Sequence, residues 1–124
     1  MKYILSALLA LLTGPLNAHE MTPTWFEMRP SLYNNVYVTD MSLFNKREDV
    51  NYYEVGVFDK DFKPVAFATS NRIINAKTYS RNAISIYVRK KDLDDVMYIC
   101  TESKLLKGEV ESTGVTSRIC SKKK

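Results

Sequence analysis

Asp94-Asp95-Val96-Met97-Tyr98-Ile99-Cys100 reads as an acidic turn running into a strand of about Val96 to Glu102. Asp94 can accept backbone N–H groups there, because a short carboxylate mimics a turn of main chain. Outward from this stretch the chain breaks into short strands. Ala83-Ile84-Ser85-Ile86-Tyr87-Val88 is the cleanest alternation, with Ile84, Ile86 and Val88 inward and Ser85, Tyr87 and Arg89 outward. Tyr52 to Phe58 alternates too, with Tyr53, Val55 and Val57 on one face. In Val36 to Phe44, the pair Val36 and Val38 falls on the face opposite Met41 and Leu43. Either both faces are partly covered, or a bulge near Thr39-Asp40 changes the phase.

Trp25 to Arg29 reads as an early strand stopped by Pro30, after a lead-in from His19 to Pro23. Short strands are expected at Val65–Ala68, with its preceding Pro64 favouring an edge, and at Arg72–Ile74. Val115 to Ser121 closes the set beside the strand of Tyr98, and the loop between them carries Leu105-Leu106. No helical periodicity runs at length, and there is no internal repeat. The expectation is an all-β single domain over residues 19–124.

Residues 1–18 read as a signal peptide. Lys2 supplies the positive start, Tyr3 to Leu12 an apolar run too short to span a membrane, and Leu16-Asn17-Ala18 a cleavage site. No later run is long enough for a transmembrane helix. Two cysteines in an exported chain argue for one disulfide, Cys100 to Cys120. The formal net charge of +4 is concentrated in Lys122-Lys123-Lys124, a solvated tail with weak attraction to anionic surfaces. No basic stripe interleaved with aromatics points to nucleic acid.

Two resemblances attach to these residues. The Asp, Tyr and Cys of the opening stretch resemble the entry into strand F of an immunoglobulin-like β-sandwich. That resemblance implies about seven strands and a tyrosine corner made by Tyr98 with Asp94. If the strand of Tyr98 and the last strand, F and G of such a sandwich, pair as an antiparallel hairpin, Cys100 and Cys120 can sit opposite and cross-link them. The antibody bridge to strand B is missing, since Cys120 lies downstream and the single Trp25 lies near the start. The order from an early Arg-Pro, through Leu43-Phe44-Asn45, to Tyr53-Glu54-Val55-x-Val57-Phe58-Asp59 and Asp61-x-Lys63-Pro64-Val65 resembles the first domain of periplasmic pilus-assembly chaperones. That family binds a subunit by strand addition beside strand G and holds its terminal carboxylate with basic residues. Arg29 and Arg118 are the counterparts the resemblance implies. The family's second domain is missing.

No catalytic set is visible: there is one His, at position 19, and the cysteines pair with each other. Asp92, Asp94 and Asp95 lack the spacing and Gly of a calcium loop and read as a solvated turn. Cleavage after Ala18 would expose His19 as a first residue able to offer an amine and an imidazole to copper, with only Glu20, Met21 or Met28 to help. Outward tyrosines at 33, 37, 52, 79 and 87 suit a contact face.

The expected function is therefore non-enzymatic and needs no cofactor. The protein is expected in the periplasm or secreted, chaperone- or adaptor-like, a monomer or weak oligomer. It binds a protein partner by strand addition at the last strand or at Val65–Ala68. Arg29, Arg118, Leu105 and Leu106 are the candidate contacts. Copper binding through His19, and an envelope-blocking factor without a dedicated cleft, are the alternatives.

Overall fold

Alternation of apolar residues along short strands gives each strand one face to bury, and two sheets facing one another satisfy that need. The computed structural model describes residues 19–104 and 116–124. Among them lie β1 (Glu20–Thr22), β2 (Trp25–Phe26), β3 (Arg29–Pro30), β4 (Val36–Phe44), β5 (Tyr52–Phe58), β6 (Ile73–Asn75), β7 (Arg81–Arg89), β8 (Tyr98–Lys104) and β9 (Arg118–Lys123). The signal-peptide reading of 1–18 and the contact residues Leu105 and Leu106 lie outside the described residues.

The first sheet is built on β4, which pairs antiparallel with β1 and β3 along one side and with β7 along the other. The second runs β2-β9-β8-β5-β6. Their inner faces meet over Phe26, Met41, Leu43, Tyr53, Val55, Val57, Ile84, Ile86, Val88 and Ile99, all buried. The architecture is thus all-β, of two sheets with one disulfide. None of the described helices is long and apolar enough to cross a membrane.

The long strands fall where the alternation put them, and the ambiguity in β4 resolves without a bulge. β4 and β7 stay in one register from Val36↔Arg89 to Phe44↔Arg81. Thr39, Met41 and Leu43 therefore point inward, and Val38 points out. Val38 is nonetheless only 7% exposed, because Arg29 of β3 lies opposite it. Both faces of β4 are covered, which is why its sequence is apolar on both.

The early chain departs from expectation. The segment 19–23 is not a lead-in: Glu20–Thr22 pairs with Ser42–Phe44. The expected strand Trp25–Arg29 is divided between the sheets, with β2 parallel to β9 and β3 back on β4. Pro30 does not stop a strand but pairs with Tyr37 at an edge, where its missing N–H costs nothing. Val65–Ala68 forms no continuous strand. It makes one single bridge, Ala68↔Tyr87, and the preceding Pro64 makes another with Phe58. Lys90–Asp95 is a 3-10 helix rather than a plain crossing.

Cys100 and Cys120 are opposite one another on β8 and β9 and are bonded. With a sequence separation of 20, loop closure suggests a stabilisation of roughly 3 kcal/mol. A bridge between neighbours in one sheet must lie off the core side here, since Ile99 and Thr101 of β8 point inward. Tyr98, two residues before Cys100, shares that outer face. This corrects the tyrosine corner. The Tyr98 ring is not turned into the interior but stacks on Phe62, centroids 4.4 Å apart and planes 7° apart. Asp94 is exposed on the 3-10 helix. In an inter-sheet bridge the Cys, and with it the Tyr, would face inward; in this intra-sheet bridge both face out.

Candidate functional site

Three places concentrate chemistry: a buried polar cluster, an aromatic outer face, and an unpaired sheet edge. The cluster is at one end of the interior. Asn45, at the end of β4, uses all the hydrogen-bonding capacity an amide has. Its Nδ2 donates to the carbonyls of Val50 and Ala76, both at 2.8 Å, and its Oδ1 accepts from the Arg47 N–H at 2.9 Å and the Tyr53 hydroxyl at 2.6 Å. Burial pushes the Tyr53 phenol up to about 12. Arg47 is held by Asp49, with Nε to Oδ1 at 2.8 Å, and reaches Ser103 and Ser117.

His19 completes the cluster. It is 1% exposed, with its ring 4.4 Å from that of Tyr53. Its Nε2 lies 3.2 Å from the Thr101 carbonyl and 2.8 Å from the Thr101 hydroxyl, and Nδ1 lies 3.3 Å from the Ser117 hydroxyl. A carbonyl only accepts, so Nε2 carries the proton and Nδ1 accepts from Ser117. Burial lowers the His19 pKa to about 4, against the Thr101 carbonyl bond that favours the charged form; nearby Arg47 lowers it further. The sequence suggested an exposed residue able to take copper. The imidazole instead sits inside with both nitrogens engaged, and copper would have to break those bonds. No group of three His, Cys, Asp or Glu side chains that could hold a metal occurs among the described residues.

The outer face of the second sheet carries Tyr98, Phe58 and Phe62. A Cβ on Gly56 would lie 2.7 Å from the Phe58 ring, so the absence of a side chain there lets the ring lie over the strand. Arg118 stands 4.6 Å above the Phe58 ring and 5.3 Å above Phe62. Arg29 is on the outer face of the other sheet, bonded to Asp40 at 2.5 Å. The two arginines expected to grip one carboxylate together therefore face opposite ways.

The edges decide where a strand can be added. At β9 the expected edge is largely taken: Lys122 donates to the Thr24 carbonyl at 3.0 Å and Lys124 to Phe26 at 2.9 Å. Among the described residues, what stays open runs only from Arg118 to Cys120. The longest open edge among the described residues belongs to β7. Its other side meets the chain at one place, where Tyr87 and Ala68 exchange hydrogen bonds of 2.9 and 2.8 Å. Tyr87 thus turns its backbone groups away from β4, and by the two-residue period so do Ser85, Ala83 and Arg81. After Ala68 the chain leaves toward β6, and on the side of β7 away from β4 no strand among the described residues pairs with Arg81 to Ser85.

Beside this edge lies a cleft of about 400 Å³, lined by Thr69, Ile74, Asn75, Asn82 and Ile84 among others. The buried Thr69 Oγ1 has no hydrogen-bond partner among the described residues. Arg81, exposed at the open end, lies 5.0 Å over the Phe44 ring with Nη1 3.5 Å from the Ser42 hydroxyl. After Lys46, its charge helps hold the Glu20 carboxyl below its ordinary range, and it makes no direct ion pair among the described residues. The sequence reading missed Arg81 and this edge. It expected a continuous strand over Val65–Ala68, and nothing in that stretch signals that it touches β7 at a single residue.

These features define a class, an all-β two-sheet domain with one intra-sheet disulfide and, among the described residues, a long unpaired edge. No family model matches the chain, and no curated protein does.

Proposed function

We propose that this protein is an exported, non-enzymatic binding domain of the periplasm or cell envelope, an immunoglobulin-like sandwich that is chaperone- or adaptor-like and takes a protein partner by β-strand addition. The observation that carries the reading is the edge of β7 from Arg81 to Ser85, unpaired among the described residues, beside an open cleft. Unpaired N–H and C=O groups in a row are a template for a further strand. The disulfide fits an oxidising compartment. The sandwich reading is supported by the pairing of β4 with β7 in one sheet and of β5, β8 and β9 in the other. The edge differs from the one that the chaperone resemblance implies, so the partner is received beside β7 and not beside the last strand.

The Ala83 N–H points away from β4, so Ala83→Pro removes a donor from the open edge without touching the β4 ladder. With a photoreactive residue at Ser85 in the mature protein, one dominant adduct is expected from the native envelope. Affinity for that partner is expected to fall about tenfold or more in Ala83→Pro, the loss of at least one interstrand bond, with the thermal midpoint little changed. Equal affinity would remove the edge from the mechanism.

A further inference from the structure

The edge selects among extended segments by the groups that flank it. We infer that the partner segment is a short antiparallel strand with an acidic residue opposite Arg81, a small polar residue opposite Asn82 and an aliphatic residue opposite Ile84; this rests on the strand-addition reading. The direction follows from the existing bridge. Ala68↔Tyr87 is antiparallel, so an incoming strand that continues its ladder meets Ser85 first and Arg81 last.

Side chains of the added strand alternate as those of β7 do, because directly paired residues share a face. Ile84 is 3% exposed and points inward. The residue opposite it enters the cleft where Ile84 and Ile74 supply apolar wall, so an aliphatic, β-branched side chain fits. The residue opposite Asn82 enters beside Asn82, Asn75 and Thr69. A small hydroxyl or amide there gives the orphaned Thr69 Oγ1 a partner. A bulky apolar group in the same place offers it no partner and gains nothing from it.

On the outer face the arrangement is set by charge. Arg81 is exposed and makes no direct ion pair among the described residues; Glu20, on which its charge also acts, is bonded at 2.6 Å to Lys46 at the neighbouring end of the sheet. An acid on the incoming strand opposite Arg81 is attracted; a lysine there is repelled. Ala83 and Ser85 complete the outer face with small side chains that admit most residues, and the Ser85 hydroxyl is already bonded to Asp40 at 2.8 Å. Selectivity therefore resides in the positions opposite Arg81, Asn82 and Ile84.

The test uses two labelled synthetic peptides built on the sequence Thr-Val-Thr-Ser-Glu with polar flanks, the second carrying Lys in place of Glu, and the full mature protein. Fluorescence anisotropy is read for the wild type, Ala83→Pro and Arg81→Glu. The acidic peptide is expected to bind the wild type about fivefold or more tightly than the lysine peptide, and Arg81→Glu is expected to reverse the order. Equal binding of both peptides that is lost in Ala83→Pro would overturn the assigned chemistry and leave the edge standing. Binding of neither peptide, or binding indifferent to Ala83→Pro, would overturn both.

Discussion

Replacing Asn45 by alanine is expected to cost about 4 kcal/mol of folding stability. The side chain is fully buried and satisfies four separate groups: the carbonyls of Val50 and Ala76, the Arg47 N–H and the Tyr53 hydroxyl. Each buried group left unpaired costs about 1–3 kcal/mol, and water entering the space vacated recovers part of the sum. The residual cost is a large share of the 5–15 kcal/mol that domains typically possess. For a domain of this size it corresponds to a fall of roughly 20 °C in Tm. Tyr53→Phe removes a single donor, leaves Asn45 Oδ1 accepting from Arg47, and is expected to cost only about 1–2 kcal/mol. Denaturant unfolding of the two variants measures the contrast. A loss below about 1 kcal/mol for Asn45→Ala would mean that the amide does not hold the β4–β5 connection and the 76 segment together.

The second large effect is on pH. His19 has a pKa near 6.5 in the unfolded chain and about 4 in the fold. Between these values the unfolded chain binds the proton and the folded one does not. Stability is therefore fully present above pH 6.5 and is lost as pH falls toward 4. The difference amounts to about 3 kcal/mol across that window. The charged form is disfavoured first by burial and also by Arg47, while Asp49 is occupied by Arg47 and Tyr53 stays neutral throughout. Two exposed carboxylates titrate lower than usual, Glu20 through its bond to Lys46 and Asp40 through bonds to Arg29 and Ser85. Their contributions are lost below the ordinary carboxylate range, so the window from pH 6.5 to 4.5 isolates the histidine. His19→Gln can keep one bond to Thr101 and is expected to flatten the profile there. An unchanged slope in the variant would show that the imidazole charges without cost and is not enclosed.

The long strands were legible because burial on one face imposes a period of two, and β4, β5 and β7 carry it over seven or nine residues. The residues that carried the chaperone resemblance also have clear structural duties. Asn45 and Tyr53 bond one another, and Asp59 Oδ1 accepts the N–H groups of Asp61 and Lys63 at 2.8 and 2.9 Å in the turn before Pro64. Those duties are local, so a sequence can show them. What was not legible depends on partners far along the chain. Nothing local tells that Trp25–Phe26 pairs with β9 while Arg29–Pro30 returns to β4. The outward face of Tyr98 follows from the bond of Cys100 to its neighbour Cys120, a pairing the sequence did show, and the tyrosine-corner reading conflicts with it. His19 looked terminal and exposed because its partners, Thr101 and Ser117, lie 82 and 98 residues away. The open edge of β7 is defined by what fails to pair beside it, and an absent neighbour leaves no pattern in the strand itself.

Residue-resolved amide hydrogen exchange along β7, with and without the acidic peptide, tests strand addition most directly. In the free protein Asn82, Ile84 and Ile86 bond to β4 and are expected to exchange slowly, while Ala83 and Ser85 exchange quickly. On addition of the peptide, the Ala83 and Ser85 amides, and that of Arg81 at the end of the pairing, are expected to become protected, with the amides bonded to β4 unchanged. Slow exchange of Ala83 and Ser85 before any peptide is added would contradict the account, as would bound peptide that leaves those two amides unprotected.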